Sequence, residues 1–142
     1  MKRYYIAYGS NLSEVQMALR CPTAKVVGTS TLKDWRLLFN GPASIEEYKG
    51  YEVPVLIWEI KPEDEKSLDR YEGYPNYYRK EMLEVDVDGE ILPAMVYIMN
   101  PAGERVPSEY YYNVLENGYE RFGFDKRILE KALEESKAWK WN

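Results

Sequence analysis

The chain contains no histidine, and that absence excludes more chemistry than any other count in its 142 residues. Without an imidazole there is no Ser–His or Cys–His pair to activate a nucleophile, and no histidine-based metal site. Acid and base work therefore falls to carboxylates or phenols. Cysteine is almost absent as well: Cys21 stands alone, so it can form neither an internal disulfide nor a thiolate cage for zinc. Placed before Pro22 with no base to activate it, Cys21 is expected to pack rather than react. No metal or cofactor is expected. A surplus of positive charge is also lacking, since the net charge is -5, so nucleic acid is not an expected partner. The first residues turn polar at Gly9-Ser10-Asn11, too soon for a signal-peptide core, and nothing suggests a membrane span. The expected compartment is the cytoplasm, which also fits a lone cysteine. A monomer is the default expectation.

What is present is the composition of one globular unit spanning residues 1–142, with 45% hydrophobic and 30% charged residues. Residues 3–8 alternate as a buried strand would and stop at Gly9. Ser13 and Gln16 form a capping-box pattern ahead of a short helix that closes near Cys21-Pro22. Residues 25–39 read as extended segments broken near Lys33-Asp34, followed by a turn at Asn40-Gly41-Pro42 and strands at 43–48 and 53–60. Pro62 and the acidic residues after it suit a helix start, and that helix should end just before Gly73. Residues 77–87 and 90–99 read as a hairpin turning on Asp88-Gly89. Ser108 caps a helix to Phe122, Gly123 breaks it, and Asp125 caps another to about Ser136; the tail beyond frays or packs through Trp139 and Trp141. Strands without regular helical alternation give an α+β fold, with a strongly curved mixed sheet or small barrel.

Two segments could carry chemistry. Tyr8-Gly9-Ser10-Asn11-Leu12 joins a strand to a helix start, an arrangement that turns free backbone N–H groups toward an anion such as a carboxylate. Ser10 and Asn11 can add side-chain bonds, although no residue of the segment carries full positive charge. The local pattern by itself fits a plain strand-to-helix turn better. Glu72 lies at the carboxyl end of its helix beside Tyr71 and Tyr74, where the negative helix end and partial desolvation would raise its pKa toward the useful range. A solvated helix-end glutamate is the alternative. Among the 14 tyrosines, a few could turn hydroxyls into a cavity while their rings exclude water.

Taken together, Tyr8-Gly9-Ser10-Asn11-Leu12, Leu68-Asp69-x-x-Glu72-Gly73, the tyrosine-led strand after it, Pro107-Ser108-x-x-Tyr111 and Gly118-Tyr119 resemble the gamma-glutamylcyclotransferase-like (AIG2-like) family. The order and spacing of these motifs carry the resemblance, which runs from Tyr4 to about Tyr119. It implies a small mixed barrel flanked by helices and a small-molecule γ-glutamyl substrate. By position it implies Glu72 as the acid/base glutamate and Tyr8, Gly9, Ser10, Asn11 and Leu12 as the loop holding the glutamyl group. Tyr78 and Tyr111 match pocket tyrosines, with Tyr77 able to replace Tyr78. The leaving amine is left open between amino acids, amines and glutathione-like peptides, although an acidic chain would favour a cationic amine through its field. A binding module that keeps the pocket without turnover is the rival reading. A third is a protein-interaction role for the acidic surface and the tryptophan tail.

Overall fold

The computed structural model describes residues 2–139. Strand β1 (Arg3–Ala7) ends at a loop that runs through a 3-10 turn (Ser10–Leu12) into helix α1 (Glu14–Arg20). The Ser13 hydroxyl accepts the Gln16 N–H at 3.2 Å, which is half of the expected capping box; the Ser13 N–H donates to the Ser10 carbonyl and the Gln16 side chain accepts from Arg20. Strands β2 (Lys25–Phe39) and β3 (Ala43–Ile60) follow, then helix α2 (Pro62–Glu72), strands β4 (Tyr78–Val87) and β5 (Glu90–Met99), and helices α3 (Glu109–Phe122) and α4 (Lys126–Ala138). No helix among the described residues is long and apolar enough to cross a membrane.

The five strands form one sheet in the order β2-β3-β1-β5-β4, mixed because β1 runs parallel to β5 and every other pair is antiparallel. The expected barrel is not closed. The sheet curls until its edge strands touch: the Ser30 hydroxyl donates to the Asp86 carbonyl at 2.7 Å, and a Cβ on Gly28 would lie 2.8 Å from a Val87 methyl. No strand ladder joins β2 to β4 among the described residues, so an α+β fold with a curled five-stranded sheet replaces the barrel.

The two strands expected at 43–48 and 53–60 are one strand, and the break expected near Lys33-Asp34 is an irregularity inside β2. Lys33 pairs with Glu52 and Trp35 with Glu47, so the single residue Asp34 faces residues 48–51. Asp34 takes a φ of 65° and Gly50 a φ of 90°, and the Asp34 carboxylate accepts the Gly50 N–H at 3.0 Å. Such a bulge bends a ribbon without ending it. The bend carries the tip of the β2–β3 hairpin over the end of β5, where the Ser44 hydroxyl accepts the Met99 N–H at 2.9 Å.

Helix α2 starts at Pro62 and ends on Gly73, whose φ of 64° closes it as expected. The Asp88-Gly89 turn also appears as read, with φ of 53° and 86°. Helix α4 runs to Ala138, two residues past the expected end, and its Glu135 accepts bonds from Arg36 and Tyr51. Helix α3 packs Leu115 and Tyr119 fully into the core and brings Gly118 against Leu12. Trp139 lies over Gly103, whereas Trp141 falls outside the described residues.

Candidate active site

Strands β1 and β5 lie side by side and parallel, so the loop leaving β1 and the end of β5 open at the same edge of the sheet. Tyr78 faces Met99 at the start of β4, which places it at that edge too. The bent β2–β3 hairpin brings Ala43 there, and α2 delivers its last residue, Glu72. These elements enclose a cavity of about 40 Å³, with Tyr8, Gly9, Ser10, Asn11, Tyr78 and Tyr111 in its wall alongside Glu72. That volume suits a carboxylate-sized group or roughly three waters.

Glu72 is half-buried, and its carboxylate has no hydrogen-bond partner among the described residues. Desolvation pushes it up to about 7, while the Arg20 guanidinium pulls in the opposite direction. The phenols of Tyr5, Tyr8, Tyr78, Tyr97 and Tyr111 are driven upward by burial and remain protonated. Glu72 is the one carboxylate in the wall, and it titrates where proton transfer in either direction is accessible at neutral pH.

The loop is more constrained than its sequence suggests. The Leu12 N–H closes on the Gly9 carbonyl and the Ser13 N–H on the Ser10 carbonyl, each at 3.0 Å. Those donors are spent on the turn, while the Asn11 N–H has no backbone acceptor there. Leu12 is absent from the cavity wall; its side chain is buried under Gly118, where an added Cβ would sit 2.7 Å from the Leu12 Cβ. Leu12 thus anchors the loop from behind. The Asn11 amide is also occupied: it donates to the Tyr5 hydroxyl at 2.9 Å and accepts from Arg20, while its carbonyl accepts the Trp58 indole N–H at 3.1 Å. The side chain of Asn11 is therefore a clamp, and what the loop can offer a ligand is main chain and the Ser10 hydroxyl.

Arg20 supplies the positive charge that the loop itself lacks. Its guanidinium stacks 3.6 Å above the Tyr71 ring, donates to Asn11 and to Ser10 Oγ at 3.4 Å, and is steadied by Gln16 at 2.8 Å. The sequence held only a faint signal for it: Gln16 and Arg20 are one helical turn apart and share a face. Tyr71 completes the contact by sharing a 3.0 Å hydrogen bond with Ser10.

Tyr78 and Tyr111 both act on Ala43. The Tyr78 hydroxyl donates to the Ala43 carbonyl at 2.8 Å, and the Tyr111 hydroxyl accepts the Ala43 N–H at 3.0 Å. Tyr8 donates to the Tyr97 carbonyl at 2.6 Å, and Tyr97 in turn donates to Asp69 at 2.5 Å. Gly9 makes room for this arrangement, because a Cβ there would stand 2.9 Å from the Tyr111 hydroxyl. Tyr77 does not replace Tyr78 in this cavity; it is 74% exposed and stands over Gly73 in the wall of a second, outer hollow. This hollow, about 640 Å³, shares Pro42, Tyr71, Glu72 and Tyr78 with the inner cavity. Glu72 therefore stands where a tight polar hole meets a wider groove. Tyr5, Tyr71 and Tyr97 belong to the inner wall and were not distinguishable in sequence from the other tyrosines.

Residues 5–121 match the family model described as gamma-glutamyl cyclotransferase, AIG2-like. Gamma-glutamylcyclotransferase of Bos taurus is 29% identical over 141 residues, covering 89% of this chain and 75% of the relative. Its Homo sapiens counterpart is 28% identical over the same extent. A solved gamma-glutamyl cyclotransferase superposes with a TM-score of 0.84 at 26% identity, covering 100% of this chain and 90% of that one.

Proposed function

The chain belongs to the gamma-glutamyl cyclotransferase, AIG2-like family, and from that membership we propose that it cyclises the γ-glutamyl group of a γ-glutamyl amide to 5-oxoproline and releases the free amine. The observation that carries the reading is the Glu72 carboxylate, raised to about 7 by desolvation and without a hydrogen-bond partner among the described residues, in the same small cavity as the Gly9–Asn11 main chain.

The α-ammonium of the substrate must lose a proton before its nitrogen can attack. Glu72 takes it. Attack on the γ-carbonyl forms the C–N bond of a five-membered lactam; the protonated Glu72 then gives its proton to the departing nitrogen as the original C–N bond breaks. The second proton of the attacking nitrogen passes to the released amine. No covalent enzyme intermediate enters this sequence. Nucleophile and carbonyl belong to one molecule, so the protein's main task is to hold the glutamyl chain folded, which can contribute several orders of magnitude. The substrate's α-carboxylate fits the inner cavity by size and by the main-chain donors there, and the Arg20 charge favours an anion beside Ser10. Tyr78 and Tyr111 fix the wall opposite by holding both sides of Ala43. The buried, free Cys21 thiol, pushed up to about 11 by burial, fits a reducing compartment such as the cytoplasm.

The test is release of 5-oxoproline, quantified chromatographically, from a panel of γ-glutamyl amino acids, γ-glutamyl amines and glutathione. At least one substrate should be turned over by the unmodified protein. Release from none of them would overturn the reading.

A further inference from the structure

Away from Glu72, charge collects around Arg36 on β2. Its guanidinium, 9% exposed, meets three carboxylates: Glu104 Oε2 at 2.7 Å, Glu46 Oε1 at 3.0 Å and Glu135 Oε1 at 3.2 Å. One positive charge against three negative ones leaves a surplus of two. The neighbouring cations do not cancel it. Arg79 is spent on Glu81 at 2.7 Å and on the Met99 carbonyl at 3.3 Å, and Lys131 lies over the Tyr51 ring. Glu104 is the unusual member of the group. Its side chain is 10% exposed, and while Oε2 is bound by Arg36, Oε1 is buried with no hydrogen-bond partner among the described residues. A carboxylate oxygen withdrawn from water and left unmatched is costly, and folded proteins hold few of them.

This cluster borders open space. Arg36, Glu104 and Trp139 line two hollows, of about 260 and 320 Å³, neither of which shares a residue with the inner cavity that holds Glu72. Leu38, Ile45, Ile98 and Met99 give the first an apolar wall, and Tyr48 stands in the second. The segment that closes the first hollow is held in place at its end. The Arg105 N–H donates to the Phe39 carbonyl at 2.9 Å, the Arg105 carbonyl accepts the Gly41 N–H at 3.0 Å, and its guanidinium lies on the Gly41 main chain. Gly103, with a φ of 82°, lets the segment turn beneath Trp139, since a Cβ there would come 2.7 Å from the indole ring. Met99, Asn100, Pro101 and Ala102 wall both this hollow and the outer groove beside Glu72.

We propose that the hollow between Glu104, Ile45 and Trp139 is a second ligand site, separate from the Glu72 cavity, and that it takes an organic ammonium ion with a short carbon chain. The ammonium head supplies the donor that Glu104 Oε1 lacks and offsets the surplus negative charge around Arg36. The indole of Trp139 adds an aromatic face that favours a cation over a neutral group, and the carbon chain lies along the apolar wall. A metal ion does not fit, because among the described residues no three acidic or thiol side chains converge to hold one. An anion would meet charge of its own sign. The inference stands without the cyclotransferase reading, since it uses none of that site's residues.

The probe is n-butylammonium chloride, titrated into the full chain at low ionic strength and followed by the NMR signal of the Trp139 indole N–H, assigned by its loss in W139F. The signal should shift saturably, with a Kd on the order of 1 mM, and the affinity should fall as sodium chloride is added. n-Butanol and butyrate, close to the probe in shape but without its positive charge, should leave the signal unmoved at the same concentration. In E104Q, with folding checked by its urea midpoint, binding should weaken about tenfold. Should that variant fail to fold, the salt series and the two control ligands decide the matter in the unmodified protein. No saturable shift, an equal shift with butanol or butyrate, an affinity indifferent to salt, or unchanged binding in a folded E104Q would overturn the proposal.

Discussion

Replacing Glu72 with glutamine should abolish turnover and, at alkaline pH, make the protein more stable. The Glu72 carboxyl is raised from an ordinary 4.5 to about 7 by desolvation. Below pH 4.5 it is protonated in both the folded and the unfolded chain and contributes nothing to the pH dependence. Between 4.5 and 7 the unfolded chain ionises first, so folded stability falls as pH rises, and above 7 the whole cost is present. At about 1.4 kcal/mol per pH unit, the interval from 4.5 to about 7 corresponds to about 3 kcal/mol. The residue is half-buried, so solvent screening reduces the expected gain to about 1–3 kcal/mol. Glutamine keeps the shape without the charge. Urea unfolding of both proteins at pH 4.5 and pH 8.5 should give equal stabilities at the lower pH and a more stable E72Q at the higher. The matching rise in Tm is about 2–4 °C per kcal/mol. In parallel, 5-oxoproline release should drop by about 10²–10⁴. If E72Q and the parent are equally stable at both pH values, the carboxylate is solvated and the argument for its catalytic pKa fails, whatever the rate shows.

Two further substitutions probe the neighbours of that carboxylate. Arg20 lowers the Glu72 pKa by its charge, so R20M should shift the inflection of kcat/KM against pH upward; a fall in rate with the inflection unmoved would mean that Arg20 serves only as a clamp on Asn11. In G118A the new Cβ would stand 2.7 Å from the Leu12 Cβ, so the loop must shift or α3 must lift; a stability loss of about 1–3 kcal/mol with a raised KM is expected. Unchanged urea midpoint and KM would show that Leu12 does not transmit the packing of α3 to the loop.

Much of the fold was legible because it depends on local chemistry. Pro62 and Gly73 bracket α2, Ser108 and Asp125 cap α3 and α4, and Asp88-Gly89 turns β4 into β5, each through the conformational freedom or hydrogen-bonding capacity of a single residue. The same logic made the Gly9 loop and Glu72 candidates, but by itself it fitted a plain turn and a solvated helix-end glutamate; the order and spacing of the family motifs singled them out. It misread the long hairpin as separate strands, since Asp34 and Gly50 look like breakers in sequence and become a bulge only when each finds the other across the ladder. It also left the sheet's closure open, because whether β2 and β4 pair or merely touch depends on the accumulated curvature of five strands.

The site divides in the same way. The sequence by itself determined that any acid/base work in a histidine-free chain falls to carboxylates or phenols, and the Pro62 and Gly73 signals put Glu72 at a helix end. Tertiary structure decided that Arg20 stacks on Tyr71, that Tyr78 rather than Tyr77 faces inward, that Leu12 turns away from the cavity, and that Arg105 rests on Gly41. These are contacts between residues far apart in the chain. The desolvation that raises Glu72 and the register that aims each tyrosine are properties of the packed sheet, and no stretch of sequence contains them by itself.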